Sequence, residues 1–375
     1  MNRREMMAQA ALLGGAMLLR GDEVATDLRI VRSKDPLNLE FPFASLKDFL
    51  TPSGMHYVRN HYSIPKLSPD SWDLQVIGAG VAKPLKLKLA ALEKMKARSV
   101  AMTLECAGNG RSYLPVKVKG VQWAQGGVST AEWTGVPLSD LLRLAGLKPS
   151  AVDVVLDSAD RGDPKKDGQP TPPLSFARGV PVAKASDVLL AYAMNGKPLP
   201  VAHGYPVRAL VPGWYGCASV KWLSRVIVTT EPFNGFDQTI DYGYWAKSDG
   251  GLPHLLPITE MEPKSSIAQP IAGAKLEKGK SVRIFGAAWA GPSGVSKVEV
   301  STDGGRTWKL AKFQDEQKPF CWRRWELAWT PMEAGSTVLQ ARATDGKGRS
   351  QPKTHDPGRR SYMINFVQST AVTVS

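Results

Sequence analysis

The chain has 375 residues, enough for two or three ordinary domains with sizeable cores. Its 43% hydrophobic and 22% charged residues are a globular composition and exclude a disordered chain, while 48 Lys and Arg against 34 Asp and Glu leave a net charge of +14 that suits an anionic substrate or an acidic partner protein. Three cysteines exclude a disulfide framework and five scattered histidines argue against a zinc site; no basic stripe interleaved with aromatics supports nucleic-acid binding, and no apolar run reaches the roughly 20 residues of a membrane span.

In the leading segment, MNRREMMAQAALLGGAMLL, Arg3 and Arg4 precede a short apolar stretch, Met6 to Leu19, with the length of a signal-peptide hydrophobic region. Adjacent arginines there point to twin-arginine export, a route for proteins already folded around a cofactor. Residues 1–25 are therefore expected to be an export leader, and the mature protein periplasmic. No good Ala-x-Ala cleavage site follows.

From residue 26 to 257 short apolar runs alternate with Gly and Pro punctuation. SWDLQVIGAGV, SVAMTLECAG and AVDVVLDSA each predict a strand ending in a turn. LKLKLAALEKMKA has helical spacing, with leucines on one face and lysines on the other. WTGVPLSDLLRLAGL predicts a helix that starts after Pro137, carries Asp140 in its first turn and stops at Gly146. ASDVLLAYAMNG is a further apolar run closed by an Asn-Gly turn. Strands and helices mix without a βαβ repeat or a Gly-rich phosphate loop, so the expected class is α+β rather than a dinucleotide fold.

After Pro257 the texture changes. SVRIFGAAW, VSKVEVSTD, TWKLAKF, RWELAWT and TVLQARATD are short strand-like runs bounded by Gly, Pro or Asp-Gly signals, the cadence of an all-β sandwich over 258–375. STDGGRTW is a strong hairpin signal, because Asp-Gly-Gly supplies the positive φ angles of a tight turn.

Candidate chemistry centres on Cys106 in TLECAGNGRSY, where an apolar run meets a Gly-Asn-Gly turn. A cysteine there is expected to be exposed at the mouth of a sheet, with Arg111 near enough to stabilise a thiolate and hold an anion. The alternative is a buried, inert thiol. Cys217 and Cys321 lie in strand-like contexts and are expected in the core. As a nucleophile Cys106 would need a base, and only His61 and His203 qualify. As a metal ligand it has no second Cys or His at ligand spacing, so the metal would have to arrive inside an organic cofactor. A phosphate-bearing cofactor calls for basic side chains and backbone amides. Two segments offer such groups: YVRNHYSIP with Arg59, Asn60 and His61, and HGYPVRALVPGWYGCASVKWL with His203, Arg208, Ser219 and Lys221. Either alone would equally describe a polar loop.

Together these segments resemble the sulfite oxidase family of molybdenum enzymes. The resemblance runs through LKDFLTPSGMHYVRNHYSIP, LECAGNGR, GVQWAQGGVSTAEWTGVPLSDLL, LLAYAMNGKPLPVAHGYPVRALVPGWYGCASVKWL and IDYGYW. It continues through VEVSTDGGRTW, CWRRWELAW and ARATDGKGRSQP, in the family's order and spacing. It implies a sulfite-oxidase-type molybdopterin domain followed by an immunoglobulin-like dimerisation domain. It further implies a Mo-molybdopterin cofactor with Cys106 as the thiolate ligand of the metal. Asn60, His61, His203, Arg208, Ser219 and Lys221 match residues that hold the pterin and its phosphate. Asp160, or Asp157 in an alternative register, matches a pterin-binding aspartate. Arg59, Arg111 and Trp123 match residues lining the anion pocket, and Tyr242, with Tyr244 as its rival, matches the active-site tyrosine. The implied reaction is oxidation of sulfite to sulfate by oxygen-atom transfer, with electrons leaving singly and the protein supplying orientation and field.

The departures are informative. Animal and plant members often read Cys-Ala-Gly-Asn-Arg-Arg, and here Gly110 replaces the first arginine. No CxxCH haem site occurs, so electrons are expected to pass to a separate protein or directly to a small oxidant, with a c-type cytochrome the natural acceptor for a basic exported enzyme. A homodimer and a heterodimer with a cytochrome subunit are both compatible. The rival readings are a relative acting on another sulfur compound or a sulfoxide, and a non-catalytic secreted binding protein.

Overall fold

The computed structural model describes residues 28–164, 172–246 and 251–375; the expected export leader, with Arg3 and Arg4, lies outside them. Strands dominate, and the described α-helices are short: Leu89–Glu93, Leu138–Ala145 and Val182–Ala185. Among the described residues no helix is long and apolar enough to cross a membrane.

Two five-stranded sheets carry the N-terminal part. One runs in the order Lys197–Pro198, Leu189–Met194, Val128–Pro137, Arg98–Glu105, with Arg208–Leu210 also paired to Leu189–Met194. The other runs Leu85–Leu87, Leu74–Ile77, Leu223–Thr229, Asp153–Gly162, Leu174–Pro181. Strand Arg98–Glu105 passes from exposed to wholly buried along its length, because Met102 and Leu104 enter the core while Arg98 and Ser99 stay in water. It pairs antiparallel with Val128–Pro137 from Arg98↔Gly135 to Glu105↔Val128, and so delivers residue 106 to the interior.

The helix expected after Pro137 is Leu138–Ala145. Leu138, Leu141, Leu142 and Ala145 form its buried stripe, and Gly146 ends it in a left-handed conformation, φ +68°. The Asn-Gly turn is a tight hairpin joining Leu189–Met194 to Lys197–Pro198, with both turn residues at positive φ. LKLKLAALEKMKA differs from expectation. Its alternating leucines also fit a period of two, and pairing with Leu74–Ile77 wins, so Leu85–Leu87 is a strand and only Leu89–Glu93 is helical.

Beyond residue 257 two sheets pack face to face. Lys264–Gln269, Val282–Trp289, Arg323–Trp329 and Lys312–Phe313 form one; Lys275–Leu276, Ser369–Val374, Gly335–Asp345, Val295–Ser301 and Lys309–Leu310 form the other. Ile284 and Trp325 from the first meet Val298, Leu339, Ala341 and Ala343 from the second. The hairpin in STDGGRTW forms as expected: the Asp303 carboxylate accepts the Arg306 and Thr307 amides and the Thr307 hydroxyl, and Gly304 and Gly305 take positive φ. A larger core crosses residue 257. Trp289, Trp322 and Met363 belong to the same cluster as Met102, Leu104 and Trp133.

Candidate functional site

The Cys106–Arg111 turn is knitted by backbone bonds. The Cys106 amide donates to Gly127 O at 2.8 Å, the Asn109 amide to Cys106 O at 2.8 Å and the Arg111 amide to Gly108 O at 3.1 Å. Cys106 is not exposed at the sheet mouth as expected; it is buried, because the Arg59–His61 segment and Tyr242 share its surroundings. Its thiol nevertheless lies on the wall of two cavities, which also share Arg59, His61 and Tyr242.

The first cavity is a chamber that gathers Asn60, Asp160, His203, Arg208, Ser219 and Lys221. Lys221 Nζ donates to the Asn60 side-chain oxygen and, at 3.0 Å, to Ala202 O. The Ser219 hydroxyl accepts the Val211 amide at 3.1 Å. The Asp160 carboxylate is met by the Ser158 hydroxyl, and burial raises its pKa. Cations crowd here at a cost. Burial, then the neighbouring Arg208, holds Lys221 well below the usual ammonium range, and burial pushes Arg208 down to about 10. Burial also depresses His203 well below its ordinary value and His56, packed 5.0 Å from it ring to ring, to about 3. Among the described residues that line the chamber, three buried polar nitrogens are left without a protein partner: Asn60 Nδ2, Arg208 Nε and His203 Nε2. Desolvated cations and unanswered donors around one cavity fit an anionic, polyfunctional organic group such as a pterin phosphate.

The second cavity is a vestibule wider than the chamber. Arg59, Arg111, Lys119 and Arg360 line it together with Asp163, Asp237 and Asp241. Two glycines shape the seat of Arg111: a Cβ on Gly108 or Gly120 would lie 2.4 or 2.6 Å from its guanidinium nitrogens. Arg111 donates to Val121 O at 2.8 Å and Ser361 O at 3.2 Å, and its guanidinium stands 5.2 Å from the Tyr362 ring centre. Burial opposes the charge of Arg59, but Tyr242, Cys106 and Tyr362 hold its pKa above the usual value. The Tyr242 hydroxyl is hydrogen-bonded to His61, whose ring stacks on Phe176 at 4.0 Å. Burial raises the Tyr242 pKa well above normal, so the phenol keeps its proton.

The two pairs of alternatives differ in placement. Tyr242 stands at the junction of the cavities, and Tyr244 lines neither. Asp160 lines the chamber, whereas Asp157 is committed to Arg225 at 2.7 Å and to the Ser175 hydroxyl. Trp123 is a correction. It lines neither cavity but is fully buried with its ring edge-on to Tyr57, 6.2 Å away, because the apolar interior behind the chamber claims it. Cys217 is in the core as expected, though in a 3-10 turn rather than a strand; it also lines the chamber, and burial pushes its thiol up to about 11. Cys321 is in the core as expected, its Sγ 3.2 Å from Ala101 O. Arg360 went unassigned in the sequence. Its guanidinium is tied to Gly243 O at 2.9 Å and Ile240 O at 3.0 Å, and the adjacent arginines of RRSY were the only local signal.

Among the described residues no three His, Cys, Asp or Glu side chains converge, so a metal at Cys106 would draw its remaining ligands from a cofactor. Residues 61–237 match the oxidoreductase molybdopterin binding domain and residues 256–373 the Mo-co oxidoreductase dimerisation domain, which with this site defines a molybdopterin-dependent oxidoreductase. The chain is 38% identical to mitochondrial sulfite oxidase of Rattus norvegicus over 351 residues, 87% of this chain and 62% of that one. It is 37% identical to sulfite oxidase of Gallus gallus over 363 residues, 91% and 76% of the two chains. The sulfane dehydrogenase SoxCD from Paracoccus pantotrophus superposes with a TM-score of 0.79 at 28% identity, covering 93% of this chain and 92% of that chain. The chain belongs to the sulfite oxidase family, whose cofactor is Mo-molybdopterin. It spans 62% of the length of the mitochondrial relatives.

Proposed function

We propose that this protein oxidises sulfite to sulfate, taking an oxygen atom from water and releasing two protons and two electrons that pass singly to a c-type cytochrome. The observation that carries the reading is one thiol, Cys106, on the shared wall of an anion-demanding chamber and an arginine-lined vestibule. When bound, Mo-molybdopterin supplies oxygen-atom transfer and a two-electron sink. The chain's residues do the rest. Cys106 gives the metal its protein thiolate. Arg208, Lys221, His203 and Ser219 hold the phosphate end, while Asn60, His61 and Asp160 engage the pterin's hydrogen-bonding edges. Arg59 and Arg111, with Arg360 at the rim, bind the substrate oxyanion by charge-assisted hydrogen bonds. Tyr242, kept protonated by burial, donates a hydrogen bond at the reacting end. Residues 26–257 act as the catalytic domain and 258–375 as an immunoglobulin-like association domain, in a homodimer or with a cytochrome subunit. The leader, Arg3 and Arg4 included, directs the protein to the periplasm.

A second reading keeps the cofactor and changes the substrate to another reduced sulfur compound. The width of the vestibule and the likeness to a sulfane dehydrogenase favour it. Sulfate should inhibit competitively if the site is built for a compact oxyanion. The primary test measures molybdenum per chain by mass spectrometry and sulfite-dependent cytochrome c reduction in wild type and Cys106→Ser. About one metal per chain and turnover that disappears in the variant is the expected result. Molybdenum without sulfite turnover would favour the second reading, and a metal-free protein from cells that make the cofactor would end both.

A further inference from the structure

The Cys106–Arg111 turn rests on a cation from the other half of the chain. Lys264 opens strand Lys264–Gln269, and its side chain is only 2% exposed. Its ammonium donates to Glu105 Oε1 at 3.0 Å and to Asn109 O at 2.8 Å. Asn109 closes the turn around this contact, donating from Nδ2 to Glu105 Oε1 at 3.0 Å and accepting the Gly127 amide at 2.9 Å. Glu105 Oε2 has no hydrogen-bond partner among the described residues. The lysine thus grips the residues on both sides of Cys106, and Asn109 is two residues from Arg111. Gly110 belongs to the same arrangement. It takes φ +93°, and a Cβ there would lie 3.4 Å from Lys264 Nζ and 3.2 Å from Ile364 Cγ2, so the second unit fills the space a side chain at 110 would use.

We propose that Lys264 is a positioning residue: through Glu105 and Asn109 it sets the placement of the Cys106 thiol and the Arg111 guanidinium, so that the C-terminal unit shapes the reaction site. Stability alone gives little reason for a lysine here, because a buried ion pair can often be replaced by uncharged side chains without loss of the fold. Placement is where it counts, since a shift of about 1 Å at a reacting site can cost about a hundredfold. The inference rests on the reading of Cys106 as the metal's thiolate and Arg111 as a substrate ligand.

The test compares loaded wild type with the uncharged pair Glu105→Gln/Lys264→Met, with Lys264→Arg, and with Cys321→Ala, which loosens the same interface at Ala101 O. Molybdenum content, melting temperature, the Mo(V) paramagnetic resonance spectrum, and KM and kcat for sulfite are measured on each. The uncharged pair should fold and keep its molybdenum, shift the spectrum, and raise KM about ten- to a hundredfold with kcat within about threefold. Lys264→Arg should fall between it and wild type, while Cys321→Ala lowers the melting temperature without moving KM or the spectrum. Wild-type KM and spectrum in either Lys264 variant would overturn the proposal, as would an equal KM shift in Cys321→Ala. Absence of molybdenum from wild type itself would instead overturn the functional reading on which it stands.

Discussion

The chamber and the vestibule share Cys106 yet solve opposite electrostatic problems. The chamber keeps Arg208 and Lys221 dry, with pKa values driven down and donors unanswered, and among the described residues that line it Asp160 is the one carboxylate. The vestibule sets Arg59, Arg111, Lys119 and Arg360 against Asp163, Asp237 and Asp241, and burial there fails to depress Arg59. A group of uncompensated buried cations is expensive to maintain in an empty protein, so it belongs with a ligand that stays. A set of cations partly offset by carboxylates around a wider cavity can admit and release an anion repeatedly. One cavity is built for residence and the other for traffic.

Breaking that contrast gives the largest expected effect. Arg208→Met should lower cofactor retention about a hundredfold, the worth of a lost charge-assisted contact to phosphate, while the metal-free protein becomes about 1–3 kcal/mol more stable because a dry cation is gone. Arg111→Gln should leave metal content untouched and raise KM for sulfite about tenfold or more. Metal analysis, denaturant melts of metal-free protein and steady-state kinetics on both variants decide the matter. Loss of metal in Arg111→Gln, or destabilised metal-free protein in Arg208→Met, would erase the distinction.

A smaller effect sharpens it through pH. His56 titrates near 3 in the folded protein against 6.5 ordinarily, and His203 is shifted the same way. Below pH 6.5 the unfolded chain takes up protons that the folded chain refuses, so the contribution to stability is complete above about pH 7.5 and falls as pH drops toward 3. For His56 alone the loss by pH 5 is about 2 kcal/mol. An anion seated beside His203 would raise its pKa, so loaded protein should lose less stability than metal-free protein between pH 7.5 and 5. Parallel melting curves for the two forms across that range would contradict a phosphate at this end of the chamber.

What could be read from the sequence follows from how local each signal is. The helix from Leu138 to Gly146 and the hairpin at Asp303 are set by caps and turn residues a few positions apart, and both form as expected. The sequence does not mark strand Lys264–Gln269, because its buried residues include a lysine and serines that form no apolar stripe; the lysine's polar partners, Glu105 and Asn109, lie more than a hundred residues away. The chamber was legible as two polar segments around Cys106 only because a family resemblance joined them. Trp123 shows the limit of such joining. A tryptophan in the right segment sits one layer too deep, since only the fold determines which of Tyr57 and Trp123 faces the cavity.

The smallest contrast lies within a single motif, IDYGYW. Tyr242 and Tyr244 are two residues apart at the start of strand Gly243–Ala246, and a shift of two would keep the same face of a strand. They nonetheless end in different places, because Tyr242 closes the preceding π-helical turn, with φ −98° and ψ 48°, and is not yet extended backbone. That turn sends its ring between His61 and Tyr362, with centres 5.3 and 5.1 Å away, while Tyr244 pairs against Leu256 outside both cavities. Tyr242→Phe removes only the hydroxyl that meets His61, so it should lower kcat about tenfold, with the metal retained. Tyr244→Phe should change kcat by less than about twofold. Equal losses in the two variants would mean that the hydroxyl at the cavity junction takes no part in the reaction, and would move the search for the hydrogen-bond donor at the reacting end to His61.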